Sequence, residues 1–178
     1  MTAADELISI PAIGPDGRLV PAPKLEVHRT GLRHLAVSIF VFHGRDLLVQ
    51  KRAAGKYHSA GLWANTCCTH PHWGESPADC AVRRLREETG LSLDLARRGV
   101  VDYRAEVGGG LVENERVHVF QGRLAAKPAA IDFDPGEVAA VRWVDLDRLR
   151  DEVRERPERF SAWLAIYLDR WPELALAD

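Results

Sequence analysis

The sequence contains little cysteine and no long apolar run. Cys67, Cys68 and Cys80 are an odd number of thiols without the Cys-x-x-Cys spacing of a zinc or redox motif. We therefore expect reduced thiols in a cytoplasmic protein. The longest apolar run, residues 35–42, is far shorter than the roughly 20 residues that span a bilayer. Residues 1–8 lack the basic and apolar segments of a signal peptide, so we expect no membrane association.

The sequence also has no excess of charge of either sign. Its 24 Lys and Arg residues stand against 26 Asp and Glu residues, a net charge of −2 in 178 residues. Proteins that bind nucleic acid usually carry a basic excess, so we expect no nucleic-acid partner. No glycine-rich loop of the Walker or Rossmann type is present, so side-chain cations would have to bind any phosphate.

The length and the hydrophobic pattern predict one α/β domain. We expect a single domain over residues 1–178, with a short N-terminal extension and a core at about 34–170. Mixed strands and helices favour an α+β sandwich, in which helices flank a mixed sheet. Residues 53–75 have little periodicity but much His, Trp and Cys, as is typical of a functional loop. Strands are expected in residues 1–24 and at 35–42, 47–52, 99–107, 112–123 and 138–144, and helices at 77–89, 145–154 and 161–170.

The helix predicted at 77–89 places charge next to its apolar face. Ser76 is its expected N-cap and Gly90 its stop. We expect Ala78, Ala81, Val82 and Leu85 to form the apolar stripe, with Glu88 on the same face and Arg84 at its edge. Arg84 and Glu88 could form a solvated i, i+4 ion pair. Alternatively, the carboxylate could hold a hard cation while the guanidinium holds phosphate.

The strand predicted at 112–123 carries two carboxylates among valines. The period of two places Glu113 and Glu115 on the face of Val117 and Val119. The strand end could simply project into water. Alternatively, the pair could bind a metal ion, with one carboxylate free to transfer a proton.

The functional loop brings thiols close to an imidazole. Cys68 and His70 are two residues apart, directly after Cys67. Such a thiol could act as a nucleophile or a proton donor, or it could contribute half of a zinc site. It could also be a small buried side chain without a chemical role. Any single histidine of this sequence, including His28 and His34, is by itself more often structural than a ligand.

Residues 69–91 resemble the Nudix box, Gly-x5-Glu-x7-Arg-Glu-U-x-Glu-Glu-x-Gly-U, where U is aliphatic. Two positions depart from the pattern: Thr69 replaces the first Gly, and Arg84 replaces the first Glu of the metal-binding glutamates. Nudix hydrolases use those glutamates to bind the ions that activate water. A charge reversal at Arg84 therefore speaks against a hydrolase. A non-catalytic Nudix-like binding module is the other alternative.

Most of the chain resembles one branch of that superfamily, the type I isopentenyl-diphosphate isomerases. The resemblance implies a Nudix-like fold and the interconversion of isopentenyl diphosphate and dimethylallyl diphosphate in isoprenoid biosynthesis. The family's catalytic cysteine lies two residues before the His of its His-Pro pair, which selects Cys68 over Cys67. The matching segments are His28 and His34, then residues 63–71, 83–90, 103–105, 113–115 and 160–163.

The resemblance also implies a role for each matching residue. Cys68 and Glu115 would be the acid/base pair, Tyr103 would support the glutamate, and Trp163, with Trp63 as a further wall, would face the developing cation. The diphosphate would bind Lys24, Arg52, Lys56 and Arg84. A Mn²⁺ or Zn²⁺ ion would bind His28, His34, His70, Glu113 and Glu115, and a Mg²⁺ ion would bind Glu88 and the backbone carbonyl of Cys68. We expect no flavin, and a monomer that binds a small diphosphate substrate.

Overall fold

The structure is a computed structural model that describes residues 8–176. The absence of a signal peptide was predicted from residues that lie almost wholly outside this range. The strands are β1 (Ser9–Ile13), β2 (Leu19–Pro23), β3 (His34–His43), β4 (Asp46–Arg52), β5 (Trp63–Ala64), β6 (Cys67–Thr69), β7 (Ala96–Glu106), β8 (Val112–Arg123) and β9 (Val138–Asp145). The α-helices are α1 (Lys24–Thr30), α2 (Pro77–Thr89), α3 (Leu146–Glu155) and α4 (Ala162–Asp169), and two short 3-10 helices cover Pro157–Arg159 and Trp171–Leu174.

Strand β3 is the centre of the sheet. It runs parallel to β8 over nine residue pairs, beginning with His34 opposite Glu115. Its other edge pairs antiparallel with β1, β6 and β4 in turn. β7 extends the sheet beyond β8, and β9 extends it beyond β4. The sheet is therefore mixed, as the sequence predicts.

Both faces of β3 are buried, which explains its continuous apolar sequence. Phe40 belongs to the core under α3 and α4, together with Leu149 and Leu164. Its neighbour Ile39 points the other way, into a second core under α2 that contains Leu85. A sheet covered by helices on both faces is the sandwich expected from the sequence.

Helix α2 has the predicted ends, but it buries a different stripe. The Ser76 hydroxyl accepts a hydrogen bond from the backbone N–H of Asp79 at 3.1 Å, and Gly90 ends the helix in the left-handed region at φ 67°. Ala78 and Val82 are exposed, so their place in the predicted apolar stripe is wrong. The buried residues are Cys80, Ala81, Leu85, Glu88 and Thr89. The buried side of the helix therefore includes the polar Glu88 and leaves out Ala78 and Val82.

Helix α1 was not predicted. It has only seven residues, begins directly after Pro23 and ends at Gly31, which has a left-handed φ of 65°. No element was predicted between residue 24 and the strand expected at 35–42. The other predicted elements are present, with β7 beginning three residues earlier than expected and the short β5 and β6 lying in the predicted loop. No helix among residues 8–176 is long and apolar enough to cross a membrane.

Candidate active site

A polar cleft of about 480 Å³, counted out to its open mouth, lies at the N-terminal ends of β3 and β8. Most of the residues predicted to bind substrate or metal line it, although they come from distant parts of the chain. The predicted residues that line the cleft are Lys24, Arg52, Lys56, Cys68, His70, Arg84, Tyr103, Glu113, Glu115 and Trp163. His28, His34 and Glu88 are not among the lining residues and are buried next to them.

Histidines from three elements converge on the two glutamates of β8. His28 comes from α1, His34 is the first residue of β3, and His70 follows β6. The Nε2 atoms of His28 and His34 lie 3.2 Å and 3.6 Å from Glu113 Oε2, and His70 Nε2 lies 2.8 Å from Glu115 Oε1. One ligand atom from each of these histidines and from Glu113 fits within a group whose members are no more than 4.8 Å apart, whereas Glu115, also predicted as a ligand, is not part of this group.

The hydrogen bonds of the histidines fix which nitrogen faces the centre of this cluster. Nδ1 of His28 is 2.6 Å from the carbonyl of Lys24, and Nδ1 of His34 is 2.8 Å from that of Leu32. A carbonyl only accepts, so each Nδ1 donates, and in the neutral ring each Nε2 presents a lone pair. Among the described residues, buried His28 Nε2 and Glu113 Oε2 have no hydrogen-bond partner. Lone pairs that converge in this way fit a bound divalent cation.

The cluster has strongly shifted pKa values. Burial lowers the pKa of His34, but the neighbouring carboxylates of Glu113 and Glu115 outweigh burial and bring it to about 10. Burial, followed by the neighbouring histidines, holds the pKa of His70 well below its usual value. Burial raises the pKa of Glu113, whereas the close imidazoles of His28, His34 and His58 more than reverse this and hold it well below the usual range. A proton on His34 thus compensates part of the negative charge when no cation is bound.

Glu115 is placed for proton transfer. Its Oε2 accepts a hydrogen bond from the Tyr103 hydroxyl at 2.6 Å, and its Oε1 contacts His70. Burial and the neighbouring charge of Glu113 raise the pKa of Glu115 to about 7. A carboxyl with this pKa can gain or lose a proton near neutrality, which a general acid or base requires.

The Cys68 thiol is held by polar contacts beside the same cleft. Its Sγ donates to Asn65 Oδ1 at 2.8 Å and lies 3.3 Å from Ser38 Oγ, which in turn lies 2.7 Å from the Tyr167 hydroxyl. Burial raises the pKa of the Cys68 thiol to about 12, so the thiol keeps its proton at neutral pH. Cys67, by contrast, is fully buried and packs in the core under α2.

Two of the cations that line the cleft, Lys56 and Arg84, form ion pairs with carboxylates. Arg84 Nη2 lies 2.5 Å from Glu88 Oε1 and 3.2 Å from Glu137 Oε1, and Lys56 Nζ lies 2.5 Å from Glu137 Oε2. Glu88 is 3% exposed, and its other oxygen accepts a hydrogen bond from the Gln50 amide at 3.1 Å. The ion pair between Arg84 and Glu88 is therefore mostly buried. The solvated helix-edge alternative does not describe it.

Aromatic rings support two of the predicted cations. The Arg52 guanidinium lies 5.2 Å from the centre of the Trp163 ring, and Lys24 Nζ lies 5.4 Å from that of Tyr57. Trp163 therefore presents a ring face that already attracts a cation. Trp63 is not among the residues that line the cleft, and its ring faces Arg142 at 4.7 Å. The structure therefore does not support the prediction that Trp63 is a wall of the site.

Sequence reasoning missed several residues that shape the site. Gln50 donates to Glu88, which is predicted to bind Mg²⁺, and Glu137 pairs with Arg84, which is predicted to bind the diphosphate. Asn65 accepts from the Cys68 thiol, and Tyr167 contacts Ser38 beside that thiol. Gln50 could have been found, because it is a polar residue within an otherwise apolar, buried stretch of β4. Nothing in the local sequence marks Glu137 or Tyr167, since their partners lie far away in the chain, whereas Asn65 lies only three residues before Cys68.

Several solved structures have a similar fold. The Deinococcus radiodurans protein DR0079 aligns with a TM-score of 0.70 at 15% identity, covering 91% of this chain and 98% of that protein. A MutT protein from Methanosarcina mazei aligns with a TM-score of 0.62 at 18% identity, covering 79% of this chain and 93% of that protein. At these identities the likeness shows the fold alone. The sequence pattern of the NUDIX domain family also matches residues 32–164, which defines the class of protein.

Relatives of higher identity narrow the class. An isopentenyl-diphosphate Delta-isomerase of Cereibacter sphaeroides is 58% identical over 156 residues, which cover 86% of each chain. One of Rhodobacter capsulatus is 51% identical over 158 residues, covering 87% of this chain and 88% of the relative. The chain therefore belongs to the isopentenyl-diphosphate Delta-isomerase family of NUDIX-domain proteins.

Proposed function

We propose that this enzyme interconverts isopentenyl diphosphate and dimethylallyl diphosphate by a 1,3-proton shift, as the names of its relatives indicate. One observation carries the proposal: a thiol, Cys68, and a buried carboxyl group, Glu115, line the same cleft beside several cations. A proton shift needs two acid/base groups at the carbon skeleton. An anionic diphosphate needs the cations.

The shift adds one proton to the double bond and removes another from the carbon skeleton, so no oxidant or reductant takes part. We assign these transfers to Cys68 Sγ and the Glu115 carboxyl, which exchange roles in the two directions of the reaction. Tyr103 orients Glu115 through its 2.6 Å hydrogen bond. The Trp163 ring stabilises positive charge that develops on the skeleton, an effect worth about 2 kcal/mol when water is excluded.

A divalent cation fits the histidine and glutamate cluster. His28, His34, His70, Glu113 and Glu115 would hold it, and the mixture of imidazole and carboxylate suits Mn²⁺ or Zn²⁺. Such a cation supplies positive charge that lowers the proton affinity of Glu115. The buried carboxylate of Glu88, with the Cys68 carbonyl, would hold Mg²⁺, which prefers oxygen ligands and phosphate.

The four predicted cations would bind the diphosphate. One cleft is lined by all four of them, Lys24, Arg52, Lys56 and Arg84, so their charges can act together on one diphosphate. Arg84 and Lys56 share Glu137 as a partner, which keeps both extended toward the cleft. Arg84 also stands where the Nudix box has a glutamate that a hydrolase would need for its magnesium cluster. This favours binding of an intact diphosphate over its hydrolysis.

Proton NMR of isopentenyl diphosphate in heavy water tests the proposal. We expect the purified protein, with Mg²⁺ and Mn²⁺, to produce dimethylallyl diphosphate that contains deuterium. Release of inorganic phosphate would instead show a hydrolase. An unchanged spectrum with Mg²⁺, Mn²⁺ and Zn²⁺ would contradict enzymatic activity on this substrate and favour a binding module.

We further propose that the enzyme acts as a cytoplasmic monomer with a single domain. The support is that one sheet includes all strands from β1 to β9 and that Cys67, Cys68 and Cys80 are free thiols. Sedimentation at working concentration tests this proposal, and a stable dimer would contradict it.

A further inference from the structure

His58 is a buried histidine of the cleft to which neither the pattern of the sequence nor the proposed reaction assigns a role. It lies between β4 and β5 and is 7% exposed. Its Nε2 lies 3.1 Å from Glu113 Oε1, on a different oxygen from the one that faces His28 and His34. It is not part of the group of side chains that could hold a metal ion together. His58 therefore contacts a predicted ligand from outside the cluster.

We propose that His58 is a positioning residue that fixes the orientation of Glu113 for metal binding. The proposal deepens the proposed function, because it concerns the metal site of the same cleft. Nδ1 of His58 lies 3.3 Å from the Ser59 hydroxyl, which can donate to it. Nε2 then carries the proton and donates to Glu113 Oε1. A ligand carboxylate held by a hydrogen bond to one oxygen presents the other oxygen in a fixed direction.

The two oxygens of Glu113 thus have separate tasks. Oε1 accepts from His58, whereas Oε2 faces the Nε2 atoms of His28 and His34 and has no hydrogen-bond partner among the described residues. Without His58, the carboxylate could rotate and place either oxygen, or neither, in the cluster. His58 therefore restricts the orientation of the Glu113 carboxylate before the metal ion binds, which lowers the entropic cost of binding.

The backbone and ring of His58 are themselves fixed from the substrate side of the cleft. Arg52 Nη2 donates to the His58 carbonyl at 3.3 Å, and the His58 ring packs edge-on to Trp163, with 5.8 Å between centroids. Ser59 adopts a left-handed φ of 50°, which is unfavourable for a residue with a side chain. Such a conformation persists when its surroundings hold it, so the direction of the His58 ring is determined locally.

Two substitutions separate the hydrogen bond from the packing. His58→Gln keeps an N–H donor but removes the ring, and His58→Phe keeps the ring but removes the donor. Each variant is stripped of metal, and its affinity for Mn²⁺ alone is measured from the electron paramagnetic resonance of free Mn²⁺. We expect His58→Phe to weaken Mn²⁺ binding about 10- to 100-fold and His58→Gln to stay within about threefold of the unsubstituted protein.

The same two substitutions at His118 are the controls, because His118 lies on β8 and contacts Arg97 instead of the cluster. Both should bind Mn²⁺ like the unsubstituted protein. The reverse pattern at position 58, or equal affinities of the two variants, would overturn the proposal. Because the measurement uses no substrate, it tests the role of His58 in metal binding even if the protein has no isomerase activity. Circular dichroism of each apo variant verifies that it is folded.

Discussion

Tyr103 and Glu115 are directly opposite each other in the antiparallel pair of β7 and β8, and the phenol donates to the carboxylate across the two strands. Both side chains are buried, at 9% and 6% exposure. Burial and the charge of Glu115 hold the pKa of Tyr103 well above its usual value, so the phenol remains a donor over the working pH range. The hydrogen bond therefore stabilises the charged form of Glu115.

Replacing Tyr103 by Phe should lower kcat. The substitution removes one hydrogen bond to a buried carboxylate, worth roughly 1.5–3 kcal/mol, or about 10- to 100-fold in rate. KM should change little, because the hydroxyl donates to Glu115 and not to a side chain that binds the diphosphate. Steady-state kinetics of the isomerisation measures both constants. An unchanged kcat would show that Tyr103 does not act through Glu115.

The neighbouring cysteines should respond differently to alanine. Cys68→Ala removes a thiol that transfers a proton and should lower turnover about 100- to 10,000-fold. Cys67→Ala should retain most of the turnover and reduce the free energy of unfolding by about 1 kcal/mol, because Cys67 only packs in the core. The NMR assay and urea unfolding measure the two effects. Loss of turnover in Cys67→Ala with activity in Cys68→Ala would identify the other thiol as catalytic.

Arg84→Glu should weaken substrate binding sharply. It removes a cation from the cleft and adds a carboxylate beside Glu88 and Glu137, so the local charge changes by two units. We expect KM to rise at least about tenfold.

Arg83→Gln is the matched control for that substitution. Arg83 adjoins Arg84 on α2 but pairs with Glu75 and Glu87 outside the cleft. Its KM should stay within about threefold of the unsubstituted enzyme, since Arg83 does not line the cleft. Equal KM values in the two variants would refute the role of Arg84 in binding the diphosphate.

Removing metal should abolish turnover but leave the chain folded. The two large cores on either face of the sheet consist of apolar side chains and need no cation. Chelation should therefore leave the far-ultraviolet circular dichroism nearly unchanged, while Mn²⁺ or Zn²⁺ restores activity. Cooperative unfolding on chelation would show instead that the metal is structural.

Local patterns in the sequence were sufficient to predict the central part of the fold. Ser76 and Gly90 mark the ends of α2, because capping depends on residues within one turn of the helix. The alternation of β8 also correctly placed Glu113 and Glu115 on the buried face with Val117. The resemblance to isomerases predicted most of the residues that line the cleft.

The remaining features depend on contacts between distant parts of the chain. Val82 fits an apolar stripe at helical spacing, yet the sheet packs on the other side of α2, toward Glu88. His58 lies in a loop without periodicity, and its partner Glu113 is 55 positions away. Its role therefore becomes visible only after the fold brings the two residues together.

The register of the parallel pair β3 and β8 determines both the packing of the core and the position of the active-site glutamates. A slip of one residue in this register would turn Glu113 and Glu115 to the opposite face of the sheet and move Asn114 and Arg116 into their place. The same slip would expose Val117 and Val119, so a misaligned molecule would lose its core and its metal ligands together. We therefore expect no population of molecules that are stably folded but inactive because β8 is paired in the wrong register.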